Sequence, residues 1–197
     1  LYNTVESEAI LYKSREPAPE LKSDGEIKLI AVGTLKESKG YDRLLCIIKK
    51  LREKKYPICL YILGIGPLQN SLERYVQENH LEKSVCFLGY QTNPYKYMAI
   101  ADWFISSSLF EGYSLVSQEA AILDVPMLLT DVSGVRELLE DNSYGIVMEN
   151  SVRGIYEDMK RVIDNPKLHE YYKQRIMERK KIITYEKRLE EIEKMFM

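Results

Sequence analysis

The chain has 197 residues and a mass of 23.0 kDa, enough for one large domain or for one domain with an appendage. Its apolar fraction of 45% and charged fraction of 29% are those of an ordinary globular protein and exclude wholesale disorder. The 28 Lys and Arg are balanced by 30 Asp and Glu, so no basic excess indicates nucleic-acid binding. No apolar run reaches the ~18 residues of a membrane span and no signal peptide opens the chain. Because the first residue is Leu1, we expect a fragment of a longer protein.

The cysteines and histidines exclude two classes of site. Cys46, Cys59 and Cys86 lie in apolar runs at unrelated spacings, which favours a reducing, cytoplasmic compartment over a disulfide framework. The sequence has no C-x-x-C motif, and His80 and His169 are its two histidines. We therefore expect neither a metal centre nor a histidine-based catalytic triad.

Short apolar runs alternate with helical patterns through the middle of the chain. Strands are predicted at 27–33, 58–63, 85–88, 103–106, 127–130 and 145–148. Helices are predicted at 41–51, 68–76, 94–101, 115–123 and 135–139. This alternation predicts an α/β fold with a doubly wound, Rossmann-like parallel sheet that is covered by helices on both faces.

The two ends of the chain differ from this middle region. Residues 1–26 lack sustained periodicity and carry Pro17 and Pro19, so they are interpreted as a connector. Residues 27–150 form the predicted sheet domain. Residues 151–197 are predicted to be a C-terminal helical segment that is divided at Pro166.

In a doubly wound sheet, ligands bind beyond the carboxyl ends of the strands, so the loops at those ends are the candidate sites. The first, GTLKESKG at 33–40, offers backbone N–H groups and a helix N-terminus to an anion, and Lys39 adds a full positive charge. Its glycine spacing fits neither a Walker loop nor the dinucleotide fingerprint. Taken alone, it is better explained as a solvated turn with a surface lysine.

A second loop, at 107–120, carries two carboxylates. Glu111 follows a predicted strand, Gly112 adjoins it, and Glu119 falls about two turns into the next helix. Carboxylates that face a crevice accept hydrogen bonds from the vicinal hydroxyls of ribose and hexose rings. The alternative is that one is a loop acid and the other a helix-surface acid.

Two further turns lie at the same edge. In the turn after the fifth strand, Asp131 or Ser133 is predicted to cap the helix, and Gly134 could let amides face an anion. The turn at 64–67 is explained as a tight strand-to-helix connection. A lysine with helix N-termini suits a diphosphate and two carboxylates suit sugars, so the combination favours a nucleotide-sugar site over a redox cofactor site.

Five segments in order resemble the C-terminal domain of GT-B glycosyltransferases of the retaining family 4 type, the glycosyl transferases group 1. They are GTLKESKGYDRL, ILGIGPLQNSLE, VCFLGYQTN, SSLFEGYSLVSQEA and TDVSGVRELL. The likeness runs from about residue 27 to residue 147. It implies that this chain is the nucleotide-sugar donor half, 27–150 being the donor domain, and that the N-terminal acceptor domain is missing.

The resemblance also implies roles for individual residues. Lys39 would contact the donor diphosphate and Glu111 would lie by the transferred hexose, which makes these two the catalytic candidates. Glu119 would hold the ribose hydroxyls. The remaining substrate-binding candidates are Gly33 and Thr34 in the first loop, Gly89 and Tyr90 near the base, and Gly112, Tyr113, Ser114, Leu115 and Val116 near sugar and phosphate.

The sequence departs from the family at two positions. Thr34 stands where the family commonly has an arginine on the diphosphate, and losing such a charge-assisted donor costs about 1.5–3 kcal/mol of phosphate interaction. Lys36 could replace it, or Lys39 and helix dipoles could suffice. Ser114 stands where a glycine is frequent.

The resemblance implies transfer of a hexose from a UDP- or GDP-type sugar donor to an acceptor, with retention of configuration. It implies no cofactor and no obligatory metal, in agreement with the lack of an Asp-x-Asp motif. We expect a role in bacterial polysaccharide biosynthesis, a cytoplasmic location with possible peripheral membrane association of the full-length protein, and no efficient transfer by this chain alone. Two alternatives stay open: a non-catalytic partner subunit of a transferase, and a nucleotide-sugar epimerase of similar fold.

Overall fold

A computed structural model describes residues 7–21, 25–112 and 114–183. The strands in these residues are β1 Ile27–Val32, β2 Ile58–Leu63, β3 Val85–Gly89, β4 Trp103–Ser106, β5 Met127–Thr130 and β6 Ile146–Met148. The helices are α1 Ser7–Lys13, α2 Tyr41–Glu53, α3 Gln69–Glu78, α4 Tyr95–Met98, α5 Leu115–Ile122, α6 Val135–Leu139, α7 Val152–Asp164 and α8 Lys167–Ile183. A 3₁₀ turn at Glu37–Lys39 precedes α2.

The strands form one parallel sheet in the order β3-β2-β1-β4-β5-β6. This confirms the predicted doubly wound α/β fold, and each predicted strand is found within one residue of its predicted ends. The strand order reverses between β1 and β4. The chain after β1 therefore leads to α2 on one face of the sheet and the chain after β4 leads to α5 on the other, and such folds bind ligands beyond the carboxyl ends of the strands near this point.

Helices cover both faces of the sheet, and each face has its own apolar cluster. In α2, Leu44, Leu45, Ile48 and Leu51 recur every three or four residues and are fully buried against one face, as an amphipathic helix requires. All six residues of β2 are buried, because a strand inside a parallel sheet is covered from both sides.

Helix α4 is shorter than the predicted 94–101. After Met98 the chain turns to enter β4, and Asp102 fixes that turn to β1 by two hydrogen bonds. Its carboxylate accepts from the Lys28 N–H at 2.7 Å, and its own N–H donates to the Lys28 carbonyl at 2.9 Å. The helix must end before this anchor.

The terminal regions add helices to the sheet domain. The stretch interpreted as a connector contains α1, whose buried Ile10 packs in the same apolar cluster as α4 and α5. The described part of the C-terminal region contains α7 and α8, and Pro166 lies between them. Residues 1–6, 22–24 and 184–197 lie outside the described residues.

The loops after β1 and β4 are joined backbone to backbone. The Ser107 hydroxyl lies 3.0 Å from each of the carbonyl oxygens of Lys39 and Gly40, and the Leu109 N–H donates to the Ser38 carbonyl at 2.8 Å. Gly40 has a left-handed conformation with φ 61°, and a Cβ there would lie 2.3 Å from the Ser107 carbonyl oxygen. Only glycine allows the two loops to approach so closely.

Arg43, in the first turn of α2, ties the second loop down. Its guanidinium donates to the Ser107 carbonyl at 2.6 and 2.9 Å, to the Ser108 carbonyl at 2.9 Å and to Asn150 Oδ1 at 2.6 Å. Thr130 donates its hydroxyl to the Ser108 carbonyl at 2.7 Å. These side chains satisfy carbonyls that have left the sheet ladder, and buried carbonyls require such partners. We call Gly40, Arg43, Ser107, Thr130 and Asn150 the loop clamp.

Gly40→Ala should destabilise the protein more than Gly89→Ala. Both glycines are left-handed, with φ values of 61° and 65°, so both substitutions carry a conformational penalty of about 1–2 kcal/mol. A Cβ at Gly89 meets no atom within 4 Å, whereas at Gly40 it overlaps Ser107, which adds roughly 1–3 kcal/mol. Urea unfolding measures both free energies. Equal losses for the two variants would contradict the close approach of the loops.

Arg43→Met should lower the free energy of unfolding by about 2–3 kcal/mol, because it leaves the Ser107 and Ser108 carbonyls without this charged donor. Arg136→Met is the matched control, since this arginine also makes several hydrogen bonds, to Asp131 and Asp141, but on the exposed surface. We expect little change for the control. Urea unfolding in low and high salt measures the free energy of unfolding of both variants. If Arg43→Met were no less stable than Arg136→Met, the stabilising role of the loop clamp would be refuted.

Candidate functional site

A cavity of about 300 Å³ opens at the carboxyl ends of β1, β2 and β3, on the side of α4 and α5. It lies at the sheet edge that the fold predicts for a ligand. Its walls are formed by Val32, Gly33, Thr34, Leu63, Gly64, Ile65, Tyr90, Gln91, Pro94, Tyr95, Val116 and Glu119. Within this set of described residues, Glu119 alone carries a formal charge.

Glu119 occupies the second turn of α5 and is half-buried. Its Oε1 accepts a hydrogen bond from the Tyr95 hydroxyl at 3.0 Å. Burial raises the pKa of Glu119 above its ordinary value, and the hydrogen bond from Tyr95 opposes that rise. The pKa of Tyr95 is itself raised to about 12 by burial and by the charge of Glu119. Tyr95 is therefore a neutral hydroxyl donor at physiological pH.

Lys39 and Glu111 form an ion pair at the Gly33 end of the cavity. Lys39 Nζ lies 2.5 Å from Glu111 Oε1, and each side chain is 20% exposed. The Ser108 hydroxyl donates to the other carboxylate oxygen at 3.0 Å. The Lys39 side chain runs beside Gly33, since its Cε would lie 3.4 Å from a Cβ at that glycine. The pair adjoins the cavity without lining it.

Tyr41 lies beneath this pair. The residue is buried, and its hydroxyl donates to the Gly33 carbonyl at 3.3 Å. Burial first, and then the charge of Glu111, raise the pKa of Tyr41. The carbonyl of Gly33 is thus hydrogen-bonded by a hydroxyl that stays neutral.

The structure brings together only some of the residues predicted from the sequence. Gly33, Thr34, Tyr90, Val116 and Glu119 line the cavity, and Lys39 and Glu111 stand beside it. Gly89, Gly112, Ser114 and Leu115 are not among the lining residues. Ser114 instead caps α5, accepting from the Ser117 N–H at 3.4 Å. Tyr113 lies outside the described residues.

The predicted cap of α6 is wrong. Neither Asp131 nor Ser133 caps this helix, whose N-cap is Gly134 in a left-handed conformation without a side-chain hydrogen bond. The carboxylate of Asp131 is instead bound by Arg136, with a shortest contact of 2.5 Å. An arginine in the first turn offers a charge-assisted pair, which is stronger than a neutral N–H cap.

Sequence reasoning missed several residues of the site. Gly64 and Ile65, explained as part of a tight turn, also line the cavity. Gln91 lies in the wall with its amide fixed, since its Nε2 donates to the Leu88 carbonyl at 2.6 Å and its Oε1 accepts from the Tyr97 hydroxyl at 3.3 Å. Tyr95 was predicted only as part of a helix. The only sequence signal for these residues was that they follow a strand. No sequence spacing indicates that Tyr95 contacts Glu119, which lies 24 residues later.

In residues 7–21, 25–112 and 114–183, no three His, Cys, Asp or Glu side chains stand together as possible metal ligands. No helix among the same residues is both long and apolar enough to cross a membrane.

Comparison with known proteins shows which family the chain resembles. The profile of the family described as Glycosyl transferases group 1 matches residues 13–179. The chain is 33% identical over 183 residues to N-acetylgalactosamine-N,N'-diacetylbacillosaminyl-diphospho-undecaprenol 4-alpha-N-acetylgalactosaminyltransferase of Campylobacter jejuni, covering 92% of this chain and 48% of that protein. It is 28% identical over 114 residues to poly(ribitol-phosphate) alpha-N-acetylglucosaminyltransferase of Staphylococcus aureus, covering 57% of this chain and 23% of that one. The chain thus spans half or less of these relatives.

Solved structures agree on the fold. Anabaena HepE in complex with UDP and glucose superposes with a TM-score of 0.77 at 17% identity, covering 93% of this chain and 51% of that one. The C-terminal domain of the group 1 protein LpcC from Francisella tularensis gives 0.68 at 19% identity, covering 76% of this chain and 82% of that domain. The sheet is the Rossmann-like half of a GT-B fold. On its profile match and its relatives, the chain belongs to the glycosyl transferases group 1 family.

Proposed function

We propose that this chain is the donor-binding half of a glycosyltransferase that transfers a hexosyl group from a nucleoside-diphosphate sugar to an acceptor with retention of configuration. The observation that carries the proposal is the arrangement around Gly33: an apolar cavity ending in the Glu119 carboxylate on one side, and the Lys39–Glu111 pair on the other. A nucleotide-sugar donor presents its groups in a matching order. Its nucleoside suits the cavity and the Glu119 carboxylate, and its diphosphate and sugar suit the Lys39–Glu111 pair. A UDP-type donor is favoured, since HepE was solved with UDP and glucose.

The nucleoside would occupy the cavity. Glu119 would accept hydrogen bonds from the ribose hydroxyls, because a carboxylate with lone pairs on both oxygens matches a vicinal diol. The base would lie toward Tyr90, whose ring is 70% exposed at the rim and can cover an aromatic base. The apolar walls exclude water, which strengthens the charge-assisted bonds to Glu119.

The diphosphate would lie over Gly33 and Thr34. Lys39 would exchange its ion pair with Glu111 for a contact with the diphosphate. Thr34 is exposed and brings no charge, so Lys39 would neutralise the charge that develops on the leaving diphosphate. Glu111, once released, would stand next to the transferred hexose. Retention is inferred from the family resemblance alone.

The acceptor would be bound by a domain outside this chain. The Campylobacter relative is named for an acceptor joined to diphospho-undecaprenol. We extend this class of acceptor to the whole protein, which would then work at the cytoplasmic face of a membrane in polysaccharide assembly. The chain alone would bind donor without efficient transfer.

A second candidate function, a non-catalytic partner subunit, is favoured by one observation. The loop cation nearest the cavity is already neutralised by Glu111 at 2.5 Å, and no arginine stands at Thr34. A subunit that retained the fold but bound no donor would also have its loop lysine neutralised and lack the arginine. Nucleotide affinity separates the candidates.

Lys39→Met should weaken UDP binding by about 10-fold to 100-fold, the loss of one charge-assisted phosphate contact, and should leave uridine binding unchanged. Glu111→Gln should tighten UDP binding, because it frees Lys39. Lys36→Met, in the same loop but exposed, is the matched comparison. Isothermal titration calorimetry measures the three variants and the unmodified chain. Absence of UDP binding at millimolar concentration in the unmodified chain would favour the partner subunit, and an equal loss in both lysine variants would give Lys36 the role of the missing arginine.

Affinity for UDP-glucose should depend on pH through Glu119. Burial raises the pKa of this carboxyl, and the ionised form is the better hydrogen-bond acceptor for ribose. Affinity should be full above the raised pKa and fall as the pH falls through it, at a higher pH than an exposed glutamate would give. The diester diphosphate of UDP-glucose does not titrate there. Binding measured from pH 4.5 to 8 tests this, with Glu119→Gln as the control that should lose the dependence; an unchanged profile in that variant would exclude Glu119 as the source.

A further inference from the structure

We propose that Tyr95 is a positioning residue for the donor ribose: its hydroxyl holds one oxygen of Glu119, so that the other oxygen faces the cavity. This rests on the proposed function, in which Glu119 binds the ribose. Tyr95 belongs to the segment after β3, whereas Glu119 belongs to α5, so the hydrogen bond at 3.0 Å joins two separate walls of the cavity.

The carboxylate needs such a partner. A glutamate side chain has three rotatable torsions, and fixing them costs free energy on the order of 1–2 kcal/mol. Among the described residues, the Tyr95 hydroxyl is the one hydrogen-bond donor to Glu119. With Oε1 so occupied, Oε2 stays available for a ligand.

The tyrosine is well suited to hold a carboxylate still. Its ring is rigid, and it is the first residue of α4, directly after Pro94, whose ring restricts the backbone. It therefore reaches Glu119 from a short, fixed element. The hydroxyl stays protonated, and so remains a donor, throughout the neutral range in which the carboxylate is charged, because burial and the charge of Glu119 raise the pKa of Tyr95 to about 12.

The surroundings make the effect of Tyr95 measurable. The loops after β1 and β2 contribute residues 32–34 and 63–65 to the cavity, and none of these has a titratable side chain. The segment after β3 contributes Tyr90 and Tyr95, and α5 contributes Val116 and Glu119 itself. The Lys39–Glu111 pair beyond Gly33 is unaltered in the variants below. A change in the titration of Glu119 on removing one hydroxyl thus reports on that hydroxyl.

The test compares Tyr95→Phe with the unmodified chain, using UDP and its 2′-deoxy and 3′-deoxy analogues in calorimetry. The phenyl ring keeps the packing, and thermal unfolding verifies the fold. We expect Tyr95→Phe to weaken UDP about fivefold to tenfold, the value of one hydrogen bond, with a smaller or no loss for the analogue that lacks the hydroxyl Glu119 binds. The pH at which UDP-glucose affinity falls should move upward, because the bond from Tyr95 favours the ionised carboxylate.

Tyr97→Phe is the matched control, since this neighbouring tyrosine of α4 donates to Gln91 and not to Glu119. It should leave ribose discrimination and the pH profile unchanged. An equal loss for UDP and both deoxy analogues in Tyr95→Phe, or an unmoved pH profile, would overturn the positioning role. If Glu119→Gln abolishes ribose discrimination while Tyr95→Phe leaves it intact, this inference fails and the proposed function stands. If Glu119→Gln leaves discrimination intact, the ribose site of the proposed function fails as well.

Discussion

The contact between the loops after β1 and β4 is the constraint on which the site depends. Where the strand order reverses, the chain leaves the sheet after β1 and β4, so the carbonyls of these loops would be unpaired. The guanidinium of Arg43 and the hydroxyls of Ser107 and Thr130 supply the missing donors, and the close approach at Gly40 leaves no room for a side chain. Lys39 and Glu111 lie 72 residues apart in sequence and meet because these loops are fixed to each other.

The two ends of the site use opposite electrostatic arrangements. At one end, a lysine and a glutamate neutralise each other in a half-buried setting. At the other, Glu119 has no counter-charge among the described residues of the cavity wall, and a neutral tyrosine donates to it. Burial of an unpaired carboxylate is unfavourable, and for this reason burial raises the pKa of Glu119. Hydroxyl donors relieve the cost without neutralising the charge, which is what a diol-binding carboxylate requires.

The fold could be predicted from the sequence because its signals are local. The continuous apolar run of β2 and the three-and-four spacing of Leu44, Leu45, Ile48 and Leu51 in α2 identify a buried strand and a helix without tertiary information. The end of α4 could not be predicted, since it is set by Asp102 binding the backbone of β1. The helix α1 was missed for a similar reason: its stability comes from burying Ile10 on the domain, since seven residues are too few for a helix to form alone.

The site was predictable only in part. Loop position identified Lys39, Glu111 and Glu119 as candidates, and the resemblance supplied their expected roles. That Lys39 pairs with Glu111, and Glu119 with Tyr95, depends on the tertiary structure and could not be predicted. Arg43 looks like any surface arginine of a helix start, and Asp131 looks like a helix cap until Arg136 competes for it. In both cases the charged side chain binds a group that its local sequence does not indicate: the carbonyls of the second loop for Arg43, and Arg136 for Asp131.

Under the proposed function, the Lys39–Glu111 ion pair would also affect product release. A phosphate that binds Lys39 would have to displace the Glu111 carboxylate, which already contacts the ammonium. Inorganic phosphate would therefore gain less here than at an unpaired lysine, whereas a complete donor would offset this loss through its nucleoside. After transfer of the sugar, Glu111 would return to Lys39 and weaken the binding of the nucleoside diphosphate, so the same ion pair would favour its release.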